Sequence, residues 1–252
     1  MMYEGFAAVY DRLMDDFDYP AWARYYLGIA GLSGRRPRLC DCACGTASLA
    51  IEWARLGCDV VGVDQSESML AVAADKARRA GVALPLVRQD MRALQLHRPV
   101  DAVFAGCDGV NYLTSPEAVR RFFRAAARNL KPGGALAFDI STRDKLERMD
   151  GQFFGEERDD VAYLWQNRLD GRLLRMDLTF FVRQPGGLYQ RFVERHAQRG
   201  HDVDEVLGWL RECGFRDGRA YGDQTAAPPA AGERRAHFVA WKDERSGGQA
   251  EA

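Results

Sequence analysis

Arg38-Leu-Cys-Asp-Cys-Ala-Cys-Gly-Thr-Ala-Ser-Leu49, followed one helix length later by Val60-Val-Gly-Val-Asp64, reads as strand, glycine turn, helix, strand and terminal acid. That order builds half of a nucleotide pocket. A turn at the carboxyl end of the first strand lets a ligand approach the backbone, and a carboxylate at the end of the second accepts hydrogen bonds from ribose hydroxyls. Only Gly45 sits in the turn proper, so the G-x-G-x-x-G spacing that seats a pyrophosphate on a helix N-terminus is missing. The spacing points to a nucleoside ligand without a pyrophosphate.

Outward from this stretch, strands over 38–43, 58–63, 84–88, 100–106 and 134–140 alternate with helices over 46–56, 66–80 and 116–130. Short strands rich in Val, Leu and Ala, alternating with helices, imply a parallel sheet covered on both faces. The punctuation agrees: Ser66-Glu67 opens a helix that Gly81 closes, Ser115-Pro116-Glu117 opens the next, and Lys131-Pro-Gly-Gly134 turns into the fifth strand. Residues 3–30 read as a helix pair, with Tyr19-Pro20 interrupting before a second helix over 21–32. After Thr142 the period changes to strands over 161–169, 172–184 and 188–199, separated by the turns Asp170-Gly171 and Pro185-Gly-Gly187. Leu174, Met176, Leu178, Phe180 and Val182 share one face of the middle strand. The segment is an antiparallel three-stranded insert, either a lid over the carboxyl edge of the main sheet or a dimer interface. A helix over 202–213 and strands over 215–221 and 236–242 return to the core, and 246–252 reads as a disordered tail.

Asp41-x-Ala43-x-Gly45-Thr46, then Asp64, then Gln89-Asp90-Met91 resembles the class I S-adenosylmethionine-dependent methyltransferase family, and within it the small-molecule subgroup. The likeness covers nearly the whole chain. In that family the first turn usually reads D-x-G-x-G-x-G, so Ala43 and Ala47 stand where two glycines are customary. The resemblance implies an α/β fold: a Rossmann-like, seven-stranded, mostly parallel sheet with helices on both faces, ending in an antiparallel hairpin. It assigns 1–142 and 200–245 to the S-adenosylmethionine-binding domain and 150–199 to the insert.

At 252 residues the chain suits one large domain with an elaboration. A hydrophobic fraction of 47% with 28% charged residues is ordinary for a folded globular protein. The start, Met1-Met-Tyr-Glu-Gly-Phe, lacks a basic stretch leading into an apolar run, and no segment has the length of a membrane span, so a cytoplasmic protein with no membrane partner is expected. A net charge of -1 with interspersed signs disfavours nucleic acid as a partner, although Arg234-Arg235 forms a local basic pair. A monomer or homodimer is expected. Cys40, Cys42 and Cys44 alternate as strand neighbours do and lack the paired C-x-x-C spacing of structural zinc, so they read as packing on one face and no metal site is expected.

Asp64, with Gln65 beside it, is the ribose ligand the strand order calls for; a helix-capping role ahead of Ser66 is its bland alternative. By resemblance, Gly45 and Ala43 pass beside the methionine part of S-adenosylmethionine, and Asp41 holds the turn or reaches the ligand's amino group. Asp90 and Met91 match the position that recognises adenine, with Met69 packing nearby. Tyr10-Asp11 is similar to a Tyr-Asp pair of small-molecule N-methyltransferases, including those of amino sugars, in which the Tyr closes over the cofactor. Cys107 and Asp108 follow the fourth strand and are expected to contact the cofactor. Asn111 and Tyr112 face substrate or else cap and pack. The chain lacks the Asn/Asp-Pro-Pro-Tyr/Phe and Pro-Cys motifs of DNA-base methyltransferases. His196, with Glu194 pointing the same way, is the candidate base if the insert is a lid, with Tyr112 the second catalytic candidate; a solvated His is the alternative. The resulting expectation is methyl transfer from S-adenosylmethionine to N or O of a small molecule by direct displacement. Two rivals stay open: a non-enzymatic nucleoside- or partner-binding protein on the same fold, and an NAD(P)-dependent oxidoreductase, against which the missing glycines count.

Overall fold

The structure, a computed structural model, describes residues 5–243; the tail assigned to 246–252 lies outside them. Helix α1 (Ala7–Leu13) and helix α2 (Tyr19–Ile29) precede the sheet. Pro20 does not interrupt a helix as the sequence suggested. It occupies the first turn of α2, where its missing N–H is not needed, and the Asp18 carboxylate accepts from Ala21 N at 2.9 Å to cap that turn.

The core then runs β1 (Arg38–Cys42), α3 (Ser48–Arg55), β2 (Asp59–Asp64), α4 (Glu67–Ala80), β3 (Leu86–Arg88), β4 (Val100–Ala105), α5 (Pro116–Asn129), β5 (Leu130–Ser141) and α6 (Arg143–Arg148). Strands β6 (Phe153–Glu157), β7 (Val161–Asp170), β8 (Leu173–Arg183) and β9 (Tyr189–Arg199) follow. Helix α7 (Val203–Glu212), β10 (Phe215–Tyr221) and β11 (Arg235–Lys242) complete the α-helices and strands of the described residues. Seven strands form one sheet in the order β10-β11-β5-β4-β1-β2-β3. All its pairings are parallel except those of β11, which runs antiparallel to β5 and β10. The chain starts at β1, works outward to β3, then crosses to β4, so β1 and β4 diverge at a topological switch point whose carboxyl edge is open to a ligand.

Each sheet face is buried under helices. One core contains Phe122 and Phe123 of α5, Trp209 and Leu210 of α7, and Phe138 stacked on Phe238 at 5.0 Å between ring centroids. The other holds Trp22 and Tyr26 of α2, Trp53 of α3 and Phe104 of β4. Each such side chain removed from water contributes about 1.5–3 kcal/mol. Cys40 and Cys42 lie in the first core, as alternation along β1 requires. Cys44 does not join them: β1 ends at Cys42, and Cys44 packs against the opposite core from within the turn. Among the described residues no helix is long and apolar enough to cross a membrane.

The insert has four strands in the order β6-β7-β8-β9, one more than the sequence pattern showed. Strand β6, Phe-Phe-Gly-Glu-Glu, is mostly exposed and has no alternating apolar face, so period-two patterning gave no signal for it. Along β8 the alternation holds, with Leu174, Met176, Leu178 and Phe180 buried and Arg175 and Asp177 exposed. This buried face packs on Val9 of α1 and Leu146 of α6 in a third core.

Asn111 ties the insert to the main sheet. Its Nδ2 donates to Ser141 O and Arg199 O, both at 2.9 Å, and its Oδ1 accepts from Ser141 N at 2.9 Å. The side chain is fully buried, so the packing role left open beside a substrate role is the one observed. Replacement of Asn111 by Ala strands a buried N–H and two carbonyls. A loss of about 3 kcal/mol is expected, measured as a lower urea midpoint at unchanged slope; an unchanged midpoint would show that the tie is dispensable.

Candidate functional site

The turn after β1 places Ala43, Gly45 and Ala47 in the left-handed region, with φ of 59°, 54° and 62°. Glycine is at ease there, whereas each alanine costs about 1–2 kcal/mol. The strain is held by hydrogen bonds. Gly45 N donates to Asp64 Oδ2 at 2.9 Å, and Cys44 N donates to Val63 O at 3.0 Å. Ser66 N donates to the other Asp64 oxygen at 2.8 Å, so this carboxylate fixes both the glycine turn and the turn leading into α4, whose cap is the Ser66 hydroxyl. Burial pushes the Asp64 carboxyl above its ordinary value, and the N–H groups of Ser66, Gly45 and Gln65 draw it back. An ionised carboxylate has about four acceptor positions, so Asp64 keeps capacity for a diol.

The turn after β4 repeats the arrangement. Cys107 and Asp108 are both left-handed, at φ 57° and 63°. Asp139, fully buried on β5, accepts from Asp108 N at 3.2 Å and from Tyr26 OH at 2.8 Å, and it meets Arg235 of β11. Arg235 Nη1 also donates to Asp108 Oδ1 at 2.6 Å, and its guanidinium lies 5.1 Å from the Trp22 ring centre. Burial opposes the charge on Asp108, but Arg235 and then Lys145 outweigh it and hold the carboxyl below its usual range. Arg235, part of the basic pair read as a local surface patch, is instead a largely buried ion partner. Asp139 and Tyr26 were also missed; the one signal was a carboxylate inside the apolar run Ala135-Leu-Ala-Phe-Asp139-Ile.

The residues nominated for the cofactor, together with Tyr112 and His196, line one cavity of about 610 Å³, whereas Asn111 and Glu194 do not line it. Its floor is the carboxyl edge of the sheet: Asp41 near the end of β1 with Ala43 and Gly45 beyond it, Asp64 ending β2 with Gln65 beyond it, and Cys107 and Asp108 after β4. Met69 of α4 and Asp90 and Met91 beyond β3 form one end. The two Asp90 oxygens accept from Arg92 Nε at 3.0 and 2.9 Å, and Oδ1 also accepts Arg92 N at 2.8 Å. Tyr10 of α1 closes one side. The roof comes from the insert, with Tyr163, Trp165, Met176, Leu178, Phe180 and His196.

His196 is buried, not solvated, and burial lowers its pKa to about 4, so the imidazole is neutral at physiological pH. Its Nδ1 lies 3.5 Å from Tyr112 OH, the second catalytic candidate. The carboxyl end of helix α1 is fastened on two sides. Asp11 accepts from Thr46 Oγ1 at 2.6 Å and Lys76 Nζ at 2.7 Å. On the other side Arg158 donates to Asp15 at 2.9 Å, and Arg12 pairs with Asp160.

A profile described as a methyltransferase domain matches residues 39–134. The chain is 36% identical over 246 residues to YqeM of Bacillus subtilis (strain 168), a protein named as a methyltransferase, covering 96% of this chain and 98% of that one. It is 27% identical over 183 residues to dTDP-4-amino-2,3,4,6-tetradeoxy-D-glucose N,N-dimethyltransferase of Saccharopolyspora spinosa, covering 71% of each. A crystal structure of an S-adenosylmethionine-dependent methyltransferase from Clostridium acetobutylicum ATCC 824 superposes with a TM-score of 0.85 at 27% identity, covering 96% of this chain and 99% of that one.

Asp41 gives the site a pH signature. It is buried beside the turn, and burial raises its pKa to about 8 against a weaker downward pull from the Ala50 backbone. A carboxyl raised above its unfolded value binds more protons folded than unfolded. Its stabilising contribution is whole below the unfolded value, near 4, and is lost as pH rises through about 8. Asp41→Asn is therefore expected to raise the melting temperature at pH 8 and to flatten its decline between pH 5 and about 8.5, checked by scanning calorimetry across pH. A parallel pH profile for the variant would refute the buried acid.

Proposed function

The chain belongs to the class I S-adenosylmethionine-dependent methyltransferase family, and from that membership we propose that it transfers a methyl group from S-adenosylmethionine to a nitrogen or oxygen of a small molecule. The observation that carries this is convergence: the acids and turns of the sheet edge, Tyr10 and His196 wall a single cavity although they come from five separate stretches of chain. The residues present suit the cofactor. Asp64 offers spare acceptor positions for the ribose hydroxyls, Asp90 and Met91 flank the adenine end, and Gly45 and Asp41 lie beside the aminoacyl end. We assign 1–142 and 200–245 to the cofactor-binding domain and 150–199 to a lid.

When bound, S-adenosylmethionine supplies an electrophilic methyl group on a sulfonium. The protein's task is mostly positioning, which supplies much of the acceleration in a displacement of this kind. Met176, Leu178 and Phe180 exclude water above the sheet edge. Asp64, Asp90, Met91 and Gly45 would hold the cofactor so that its methyl group could pass to an acceptor atom placed in line with it. Neutral His196 takes the acceptor's proton, and Tyr112 orients the imidazole. Relatives named for amino-sugar N-methylation support a small-molecule acceptor.

Calorimetric titration with S-adenosylmethionine tests the proposal. One site per chain is expected, with affinity falling at least about tenfold in Asp64→Ala, since charge-assisted hydrogen bonds contribute about 1.5–3 kcal/mol. No binding to the unmodified protein, or equal binding by a folded variant, would overturn it.

A further inference from the structure

Lys145 of α6 occupies the part of the cavity away from Asp64 and Asp90. Its Nζ donates to Ser141 Oγ at 2.8 Å and lies 4.0 Å from an Asp108 oxygen. An ammonium has three donors, of which Ser141 accepts one, and the Asp108 ion pair is a long one. The other cations on the wall are held by closer carboxylates. Arg92 forks onto Asp90, and Arg235 is divided between Asp108 and Asp139. Burial also holds the Lys145 pKa below its ordinary value, a bias that an incoming anion would reverse.

The cavity that Lys145 lines is also lined by polarisable side chains: Tyr163 and Trp165 of β7, Met176 and Phe180 of β8, and Met149 beyond α6. Aromatic rings and thioethers suit a planar ring. A carbohydrate buried against these side chains would bring several hydroxyls, each needing a partner, and the polar groups of Tyr163 and Trp165 already donate to Glu156 and Asn167. A diphosphate-linked sugar would further require more than one available cation.

On the methyltransferase reading of this site, we propose that the acceptor is a small aromatic acid. Its ring lies against Trp165, Met176 and Phe180, its single carboxylate meets Lys145, and its nitrogen or oxygen turns toward His196. Lys145 is then the residue that selects acids over neutral analogues.

Matched ligands decide this. Protein saturated with S-adenosylhomocysteine is titrated with 4-aminobenzoate, indole-2-carboxylate and 1-hydroxy-2-naphthoate, with the carboxamide of each, and with glucosamine. At least one acid is expected to bind about tenfold more tightly than its amide, the scale of one charge-assisted hydrogen bond. Lys145→Met should erase that preference and Lys145→Arg should keep it. The proposal is overturned if no acid outbinds its amide in the unmodified protein, if a folded Lys145→Met retains the preference, or if glucosamine alone binds. The acid and amide comparison in the unmodified protein needs no variant and decides the matter even if Lys145→Met does not fold. Failure to bind S-adenosylhomocysteine counts against the methyltransferase reading instead, and the same ligand pairs without it still judge Lys145.

Discussion

Two carboxylates hold the turns on which the cavity depends. Asp64 at the end of β2 accepts the N–H of Gly45 from the turn after β1, and Asp139 near the end of β5 accepts the N–H of Asp108 from the turn after β4. In each case an acid on one strand restrains a left-handed turn following the adjacent strand. The strands are neighbours in the sheet, so the restraint follows from parallel pairing. Without those bonds Ala43, Ala47, Cys107 and Asp108 would have little to keep them in a conformation that side chains disfavour. The opening between β1 and β4 would then lose its shape.

Everything above the sheet edge rests on that floor. Helix α1 is bonded to Thr46 and Lys76 on the core side and reaches the insert through Arg158 and Asp160. Phe6 contacts Phe180 and His196, with ring centres 5.3 and 5.8 Å away, so the aromatic roof and α1 pack as a unit. Asn111 connects the edge of β5 to the last strand of the insert. The roof is thus tethered at two places on opposite sides of the cavity. A shift of either tether would move His196 relative to the sheet edge.

The core was legible because its signals are local. Alternation with helices and caps at Ser66, Gly81 and Ser115 are short-range facts, and each appears in the structure as read, whereas β3 is shorter than the 84–88 read for it and β5 begins at Leu130, ahead of the turn read at Lys131-Pro-Gly-Gly134. The positions of Asp64 and Gly45 followed from strand order for the same reason. What the sequence hid depends on contacts across many residues. Arg235 is 96 residues from Asp139, and nothing near it distinguishes a buried ion partner from a surface arginine. Asn111 looked equally suited to substrate or packing because its partners, Ser141 and Arg199, lie 30 and 88 residues away. Cys44 was placed on the wrong face because the strand stops two residues earlier than alternation suggested. Strand β6 was missed because an exposed edge strand carries no buried period.

A crystal structure of the protein with S-adenosylhomocysteine tests the central claim most directly. The account expects the ribose hydroxyls on Asp64, the adenine between Met69 and Met91, and the sulfur pointing beneath His196, with the turns at Ala43 and Asp108 unchanged. Density for the ligand elsewhere, or a ribose that does not touch Asp64, would contradict it.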